Sequence, residues 1–312
     1  MKNKVLVIIV TYNGKKWIDR CLGSLKESTV PVDVFVVDNG SKDGTIARVR
    51  EIGKSWFSET SFDGAGWWLV DLVESKENLG FGRANNLGLK YAMENGYEYV
   101  YLLNQDAWVE PDTIELLLEA FKKNPGYGVL SPVQMTAAGD KMDPQFEIKC
   151  KKYLPDLKSI FPSTIAVHPV PFVMAAHWMI SRECLSKVGG FSPAFAHYGE
   201  DDNFLDRCRW HGMGIGVDIE AKAVHDRENR PTPKAKRMRL KYVGSLVRIS
   251  NPACFLPWRL LRQPLELLFI SIFHLSWDSF IGIFRLIFSY PKLIRWRKAS
   301  RRGAAFLETD VQ

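Results

Sequence analysis

The sequence predicts an α/β protein built on a mostly parallel central sheet with helices on both faces. Over the first 130 residues, apolar segments of strand length alternate with amphipathic segments of helix length, which is the pattern of a parallel sheet. The apolar segments are continuous rather than alternating, as expected for strands that are buried on both faces. With 312 residues, the chain can form one large domain or two smaller ones around a full core.

Four strand–helix units are expected in order along the first half of the chain. The strands are expected at 4–13, 32–41, 67–75 and 99–106. The helices that follow them are expected at 15–28, 43–53, 82–96 and 110–124. Residues 131–225 are less regular because prolines interrupt the pattern. One helix is expected there at 200–212, where Phe204, Leu205 and Cys208 share a face.

The overall composition is that of an ordinary globular protein. Hydrophobic residues make up 46% of the chain and charged residues 25%, which argues against wholesale disorder. The five cysteines are scattered and never form a CxxC pair, so neither a disulfide framework nor a zinc site is expected. This cysteine usage suits a reducing compartment. The apolar run Val5–Val10 is too short for a signal peptide and is interpreted as the first strand.

The charge is distributed very unevenly. Residues 227–302 contain 17 Lys and Arg but three Asp and Glu, a net charge of +14, whereas residues 1–226 carry a net charge of −5. An acidic-to-neutral body therefore continues into a strongly basic C-terminal segment. Such a segment suits either nucleic acid or an anionic membrane surface.

Polar residues follow each of the four expected strands. Taken singly, each group is a plausible turn, since Asn, Asp, Gly and Ser are common turn formers. Together they would line one edge of one parallel sheet, where ligands usually bind. The sequence therefore predicts a polar cleft at this edge. The four groups are Thr11–Asn13, Asp38–Ser41, Glu77–Gly82 and Asn104–Asp106.

A dinucleotide-binding site is excluded by the detail of the glycine-rich segment. Gly80 and Gly82 are present, but the third glycine position is occupied by Asn85, and the segment follows the third strand instead of the first. A Walker A phosphate loop is also absent from the sequence.

Five ordered motifs carry a resemblance to a known family. Over roughly residues 4–226 the chain resembles the family 2 glycosyltransferases, and the motif LLNQDA is most similar to the bacterial rhamnosyltransferase branch. The resemblance implies a GT-A fold and inverting transfer from a nucleotide-diphospho-sugar. The motifs are VIIVTYNGKKWIDRCLGSL, VFVVDNGSKDGT, ENLGFGRANNLGL, LLNQDAWVEPDTIELL and VGGFSPAFAHYGEDDNFLDRCRWHG.

The resemblance also implies which residues bind the donor. A pocket for the nucleoside base is expected at Thr11, Tyr12, Asn13 and Asp38. A wall around the ribose and diphosphate is expected at Asn78, Gly80, Arg83 and Asn85. Asn104 and Gln105 are expected to bind the nucleotide-sugar, and Asn104 can contact sugar hydroxyls or a metal-bound water.

The resemblance further implies a metal site, a base and an acceptor site. Asp106 matches the last acid of the metal-binding Asp-x-Asp motif, whose first acid is here Asn104, and His225 is a second candidate ligand with a structural role as the alternative. Asp201 matches the general base, with Glu200 orienting the site; the alternative is acids at an ordinary helix N-terminus. The expected acceptor residues are Asp202, His177 and Trp178.

One acid instead of two is chemically sufficient at this metal site. Glycosyl transfer needs a neutralised diphosphate leaving group, and Mg²⁺ or Mn²⁺ can bridge its oxygens. The phosphates then supply the charge that a second carboxylate would otherwise supply. Metal binding is therefore expected to depend on nucleotide.

The C-terminal segment is basic and apolar. We expect a basic linker at 227–239 and, at 259–290, a helix lying in a membrane interface, because the longest uncharged stretch, Leu267–Trp277, is too short to span a bilayer. Peripheral membrane contact is expected through 255–302. The alternative is a helical subdomain packed on the body or on a second subunit of a homo-oligomer.

The sequence thus predicts a catalytic domain at 1–226 and a helical extension at 227–312. Within the former, about 1–130 would bind the nucleotide-sugar and 131–226 the acceptor. The expected function is transfer of a sugar, with rhamnose the leading candidate, from a dTDP- or UDP-linked donor to a glycan or lipid-linked acceptor at the cytoplasmic face of the membrane. A non-catalytic scaffold is the rival, and nucleic acid is not an expected partner because no recognisable module is present.

Overall fold

A computed structural model describes residues 4–59, 68–156, 165–227 and 233–307. In this part of the chain, nine strands form one mixed sheet in the order β3-β2-β1-β4-β8-β6-β9-β5, with β7 pairing with β9. The strands are β1 (Val5–Thr11), β2 (Asp33–Asp38), β3 (Trp68–Glu74), β4 (Tyr99–Asn104), β5 (Ala107–Val109), β6 (Tyr127–Met135), β7 (Val167–Pro169), β8 (His177–Ser181) and β9 (Gly214–His225).

The predicted α/β fold with a mostly parallel core is confirmed. The first four strands run parallel, with β1 between β2 and β4. The irregular middle of the chain adds β8 antiparallel to β4, and β6 and β9 continue the sheet beyond it. The carboxyl ends of β1, β2 and β4 therefore meet at one edge, because parallel strands end on the same side.

Helices cover both faces of this sheet. On one face, α1, α2 and α4 pack on alternate residues of β1, including Val7 and Ile9. On the other face, α3, α5, α6 and α7 share a hydrophobic cluster with the opposite side of the sheet, including Leu6 and Ile8 of β1. The helices are α1 (Lys15–Lys26), α2 (Thr45–Glu59), α3 (Phe81–Glu94), α4 (Thr113–Lys123), α5 (Pro144–Cys150), α6 (Arg182–Val188) and α7 (Glu200–Trp210), with a short 3-10 helix at Lys151–Tyr153.

The C-terminal segment forms three further helices, and this corrects two expectations. The basic linker is shorter than predicted, since α8 (Lys234–Ser250) begins inside it. The single interface helix is instead a hairpin of α9 (Leu256–Phe273) and α10 (Trp277–Ala299). The chain turns at Leu275, whose φ is +47°, and the Ser276 side chain caps α10. Pro264 lies inside α9 without ending it.

A third hydrophobic cluster joins these helices to the body. It contains Phe195 from the loop before α7 and buried residues from all three C-terminal helices. Across the described residues, no helix is both long enough and apolar enough to cross a bilayer. The remaining members of the cluster are Val243, Leu246, Ile249, Leu267, Leu286 and Leu293.

Candidate active site

The ends of β1 and β2 form one interlocked turn. The Thr11 hydroxyl donates to Oδ2 of Asp38 at 2.9 Å, while Oδ1 of Asp38 accepts the backbone N–H groups of Gly40 and Ser41. Thr11 and Asp38 have no exposed surface. The predicted direct contact of these two residues with a base is therefore not available in this conformation, because their polar atoms hold the turn.

Tyr12 and Asn13 are the residues that this turn presents. The Tyr12 side chain is 48% exposed. Gln105 clamps its backbone, accepting from the N–H at 2.8 Å and donating to the carbonyl at 3.2 Å. Asn13 has a φ of +49° and accepts the Lys42 N–H. Gln105 thus fixes the backbone of this turn, and its predicted contact with the nucleotide-sugar stays a prediction.

The loop after β3 approaches the loop before α7 closely. Gly80 has a φ of +80°, and a Cβ at this position would lie 2.3 Å from the carbonyl oxygen of Ala196. A Cβ on Gly82 would lie 3.7 Å from the Cβ of Glu200. The predicted diphosphate wall and the predicted acid pair are therefore neighbours, although they are more than a hundred residues apart in sequence.

The other residues predicted for this wall differ in accessibility. Asn78 accepts the N–H of Gly80 and shapes the loop. Arg83 is exposed, so its guanidinium can reach an anionic ligand. Asn85 is 1% exposed and donates its amide to the carbonyl of Phe81, which contradicts its predicted contact with the donor.

Asp106 and His225 form the candidate metal site. The end of β9 pairs with β5, and this pairing sets Oδ1 of Asp106 3.5 Å from Nε2 of His225. The other ring nitrogen of His225, Nδ1, is buried and has no hydrogen-bond partner among the described residues. Asn104 is half-buried beside them.

This pair fits a divalent cation that also binds diphosphate. A carboxylate oxygen and an imidazole nitrogen suit Mn²⁺, whereas an all-oxygen set would favour Mg²⁺. Within the described residues no third His, Cys, Asp or Glu completes a cluster. A metal held here would accordingly need ligand oxygens from the donor, in line with the expected dependence on nucleotide.

The acidic cluster opens α7. The backbone reaches it through two left-handed residues, Tyr198 and Gly199, and then supplies Glu200, Asp201 and Asp202 in one helical turn. Burial, and then the Asp201 charge, raises the pKa of Glu200 to about 8. Oε2 of Glu200 has no hydrogen-bond partner in the described structure. Glu200 is therefore a neutral acid near pH 7.

Asp201 and Asp202 also hold their protons more tightly than ordinary carboxyls. Burial raises the pKa of Asp201, while the charges of Arg227 and Lys149 oppose that shift. Desolvation, followed by the Asp201 charge, raises the pKa of Asp202 to about 7. A raised pKa strengthens a carboxylate as a base, and such shifts are common where acids perform chemistry.

Arg227 connects the two halves of the site, and sequence reasoning missed it. It lies two residues after His225, and its Nε contacts Oδ2 of the buried Asp143 at 3.0 Å. Its charge lowers the pKa of Asp201, so it lies within electrostatic range of the acidic cluster. Its position two residues after His225 was a usable signal. Lys149, on α5, had no such signal.

Two predicted acceptor residues lie in the core instead. Trp178 and His177 have no exposed surface. His177 accepts from the Tyr101 hydroxyl at 2.9 Å and donates to the carbonyl of Val224. Burial, and then the His225 charge, lowers the pKa of His177 to about 3. The acceptor role is wrong for this pair because β8 is a central strand covered on both faces.

Comparison with known proteins identifies the family. A model described as glycosyl transferase family 2 matches residues 6–189. The chain belongs to this family. A dTDP-rhamnosyl transferase, RfbF, from Shigella flexneri is 23% identical, covering 72% of this chain and 70% of its own. An N-acetylglucosaminyl-diphospho-decaprenol L-rhamnosyltransferase from Mycobacterium tuberculosis is 26% identical, covering 66% and 71%.

The family 2 assignment agrees with longer relatives and with solved structures. A chondroitin synthase from Escherichia coli is 31% identical over 121 residues. The matched region covers 38% of this chain and 16% of that protein. The mannosyltransferase PcManGT from Pyrobaculum calidifontis, in complex with GDP-Man and Mn²⁺, has a TM-score of 0.55 at 20% identity, covering 96% of this chain and 84% of its own. These similarities establish a glycosyltransferase with a GT-A fold.

Proposed function

We propose that the protein is an inverting glycosyltransferase in which Asp201 is the general base and Asp106, with His225, holds a divalent cation at the donor diphosphate. The observation that carries the proposal is the close approach of the glycine-containing loop after β3 to the acidic cluster, since a Cβ on Gly82 would lie 3.7 Å from the Cβ of Glu200. This arrangement supports one cleft with a diphosphate side and a hydroxyl side.

The residues of this cleft suit a single displacement. Asp201 would take the proton from an acceptor hydroxyl as that oxygen bonds to the anomeric carbon and the bond to the diphosphate oxygen breaks. A positioned base of this kind contributes about 10²–10⁴ in rate. Neutral Glu200 can orient a hydroxyl without repelling Asp201, and Arg83 can meet the diphosphate. A bound Mn²⁺ or Mg²⁺ would neutralise the leaving group.

We further propose a rhamnosyl donor linked to dTDP, with a UDP-linked sugar as the alternative, and a glycan or lipid-linked acceptor. The two rhamnosyltransferase relatives support the sugar, and the decaprenol-linked substrate in the name of one of them supports the acceptor class. Asp202, in the first turn of α7 beside Asp201, is proposed to contact the acceptor. Asn104 is proposed to contact the sugar.

We also propose that residues 1–226 act as the catalytic domain and that 255–302 rest on the inner face of the cell membrane. The exposed apolar side chains of α9 and α10, together with the net charge of +14 over 227–302, support this contact.

The test is metal-dependent release of nucleotide from a panel of dTDP- and UDP-sugars. Asp201→Asn should lower transfer about 10²–10⁴-fold. The exposed Asp112→Asn is the matched control and should behave as wild type. Donor binding with no turnover in the unaltered protein would instead favour the alternative, a sugar-nucleotide-binding scaffold.

A further inference from the structure

A groove of about 830 Å³ lies between α8 and α9, outside the cleft described above. One part of its lining is apolar, with Leu240 from α8 and Leu265 and Phe269 from α9. The other part is cationic. Its charged residues are Arg237, Lys241, Arg248, Arg262 and Glu266.

The groove has an excess of positive charge. Its one acid, Glu266, accepts from Arg262 at 2.6 Å and from Arg248 at 3.3 Å. Four cationic side chains and one carboxylate thus line the groove, which gives the lining a net positive charge. Anions with several oxygens are the natural partners of such a cluster, because Arg donates in a fork that matches phosphate.

The apolar lining continues onto an exposed surface. Phe269 is 68% exposed, and Leu261 and Leu265 are about as exposed on the same helix. The buried residues of α9 include polar Gln263 and Ser271. Leu267 is also buried, but much of the apolar surface of the helix remains exposed. A long apolar chain leaving the groove would have a continuous surface to follow.

The groove lies one helix away from the acidic cluster. On one side of α8, Val243 and Val247 pack at Gly199, the residue before Glu200. On the neighbouring side, Lys241 and Arg248 line the groove. An α-helix with its side chains is about 10 Å across, which a diphosphate with one attached sugar can span.

We propose that this groove binds the diphosphate and the first isoprenoid units of a lipid-linked acceptor, so that the attached sugar reaches Asp201 around α8. The inference rests on the proposed function and specifies its acceptor. The lining suits a ligand with several phosphate oxygens for the cations and an apolar chain for Leu240, Leu265 and Phe269. The choice of an isoprenoid chain is supported by the decaprenol-linked substrate in the name of one relative.

The test is calorimetric binding of farnesyl diphosphate without donor or metal, so that the result is independent of catalysis. The double substitution Arg237→Gln/Lys241→Gln should weaken binding about tenfold or more. Phe269→Ala should weaken it as well, through the apolar part. The matched controls are Lys292→Gln/Lys298→Gln and Phe288→Ala, all exposed on α10, and they should bind as wild type. Unchanged melting temperatures verify folding.

Four outcomes would overturn the proposal. Equal weakening by both lysine-containing double variants would mean general attraction of an anion. If inorganic pyrophosphate bound as tightly as farnesyl diphosphate, the isoprenoid chain would contribute nothing to binding, which would contradict the proposed ligand. Displacement by UDP would place the probe in the donor site, and displacement by dihexanoylphosphatidylglycerol would assign the groove to a bilayer lipid. None of these outcomes bears on nucleotide release, which tests the proposed function separately.

Discussion

At the scale of single residues, Glu200 shows how position changes the chemistry of a carboxyl. The fold places it at 7% exposure with one oxygen lacking a hydrogen-bond partner in the described structure, and its pKa is raised to about 8 from an ordinary value of 4.5. A carboxyl whose pKa is higher in the folded than in the unfolded state binds its proton more tightly when folded, and it therefore stabilises the fold at low pH, where it is protonated. That stability is lost as the pH rises from about 4.5 through about 8.

The substitution Glu200→Gln should therefore stabilise the fold progressively as the pH rises. We expect its free energy of unfolding, relative to wild type, to increase by about 1–4 kcal/mol between pH 5 and pH 9. Urea titrations at both pH values measure this, with the exposed Glu27→Gln as the control. A gain that is the same at both pH values would show that Glu200 does not titrate in this range.

Gly80 tests the contact between the donor loop and the loop before α7. Gly80→Ala should cost about 2–4 kcal/mol, since it adds a clash with Ala196 to an unfavourable φ. Gly96→Ala isolates the cost of placing alanine at a positive φ, because Gly96 has a φ of +76° and open space around it. This substitution should lower the free energy of unfolding by about 1 kcal/mol. Equal costs in chemical denaturation would contradict the close approach.

The positions of candidate site residues were predictable where a polar residue ends a strand, and less so elsewhere. Asp106 follows β4 and His225 ends β9, and the structure brings the two together. Trp178 and Arg207 have side chains of types that often bind ligands, but both are buried. Arg207 donates to the carbonyls of Val188 and Gly190. Sequence spacing gives the residue type but cannot reveal burial that depends on distant segments.

At the scale of elements, the four strand–helix units were predictable because each has a strong local pattern. The C-terminal helices were not, since charge periodicity cannot tell what a helix packs against. For example, Glu266 of α9 pairs with Arg248 of α8. The hairpin turn at Leu275 also lacks a glycine or proline, and so gives no local signal.

The tip of the α9–α10 hairpin provides a test of membrane contact. Phe273, Leu275 and Trp277 are 72%, 90% and 71% exposed. Replacing all three by Ser should weaken binding to phosphatidylglycerol vesicles about tenfold or more, because their apolar surface would no longer be buried in lipid. Co-sedimentation measures this binding.

The control for the hairpin variant is Ile148→Ser/Ile165→Ser, which removes exposed apolar side chains elsewhere. It should sediment as wild type. Vesicle binding by the hairpin variant equal to that of this control would defeat the membrane contact.

At the scale of the whole molecule, the chain returns to its catalytic body after the hairpin. Phe306 packs its ring against the guanidinium of Arg207 at 5.2 Å, and its carbonyl accepts from Asn86. The carbonyl of Ala305 accepts from Gly190. Removing everything after residue 230 would strip this contact as well as the hairpin, so point substitutions are the better probes of lipid binding.

This returning segment should contribute to global stability. Phe306→Ala should lower the free energy of unfolding by about 2–4 kcal/mol, because Phe306 is 7% exposed. Phe288→Ala, at a position 82% exposed, should change it by less than about 0.5 kcal/mol. Urea denaturation of the full chain measures the stability of both variants. Equal effects would mean that the segment around Phe306 does not stabilise the rest of the protein.

The central claim is that Asp106 and Asp201 face one cavity from opposite sides of the reacting sugar. The most direct measurement is a crystal structure with Mn²⁺ and the preferred nucleotide-sugar, using the anomalous signal of manganese. We expect a manganese peak bonded to Asp106 and His225, with Asp201 opposite the diphosphate at the anomeric carbon. Manganese bound elsewhere, or Asp201 facing a surface that the donor does not reach, would contradict it.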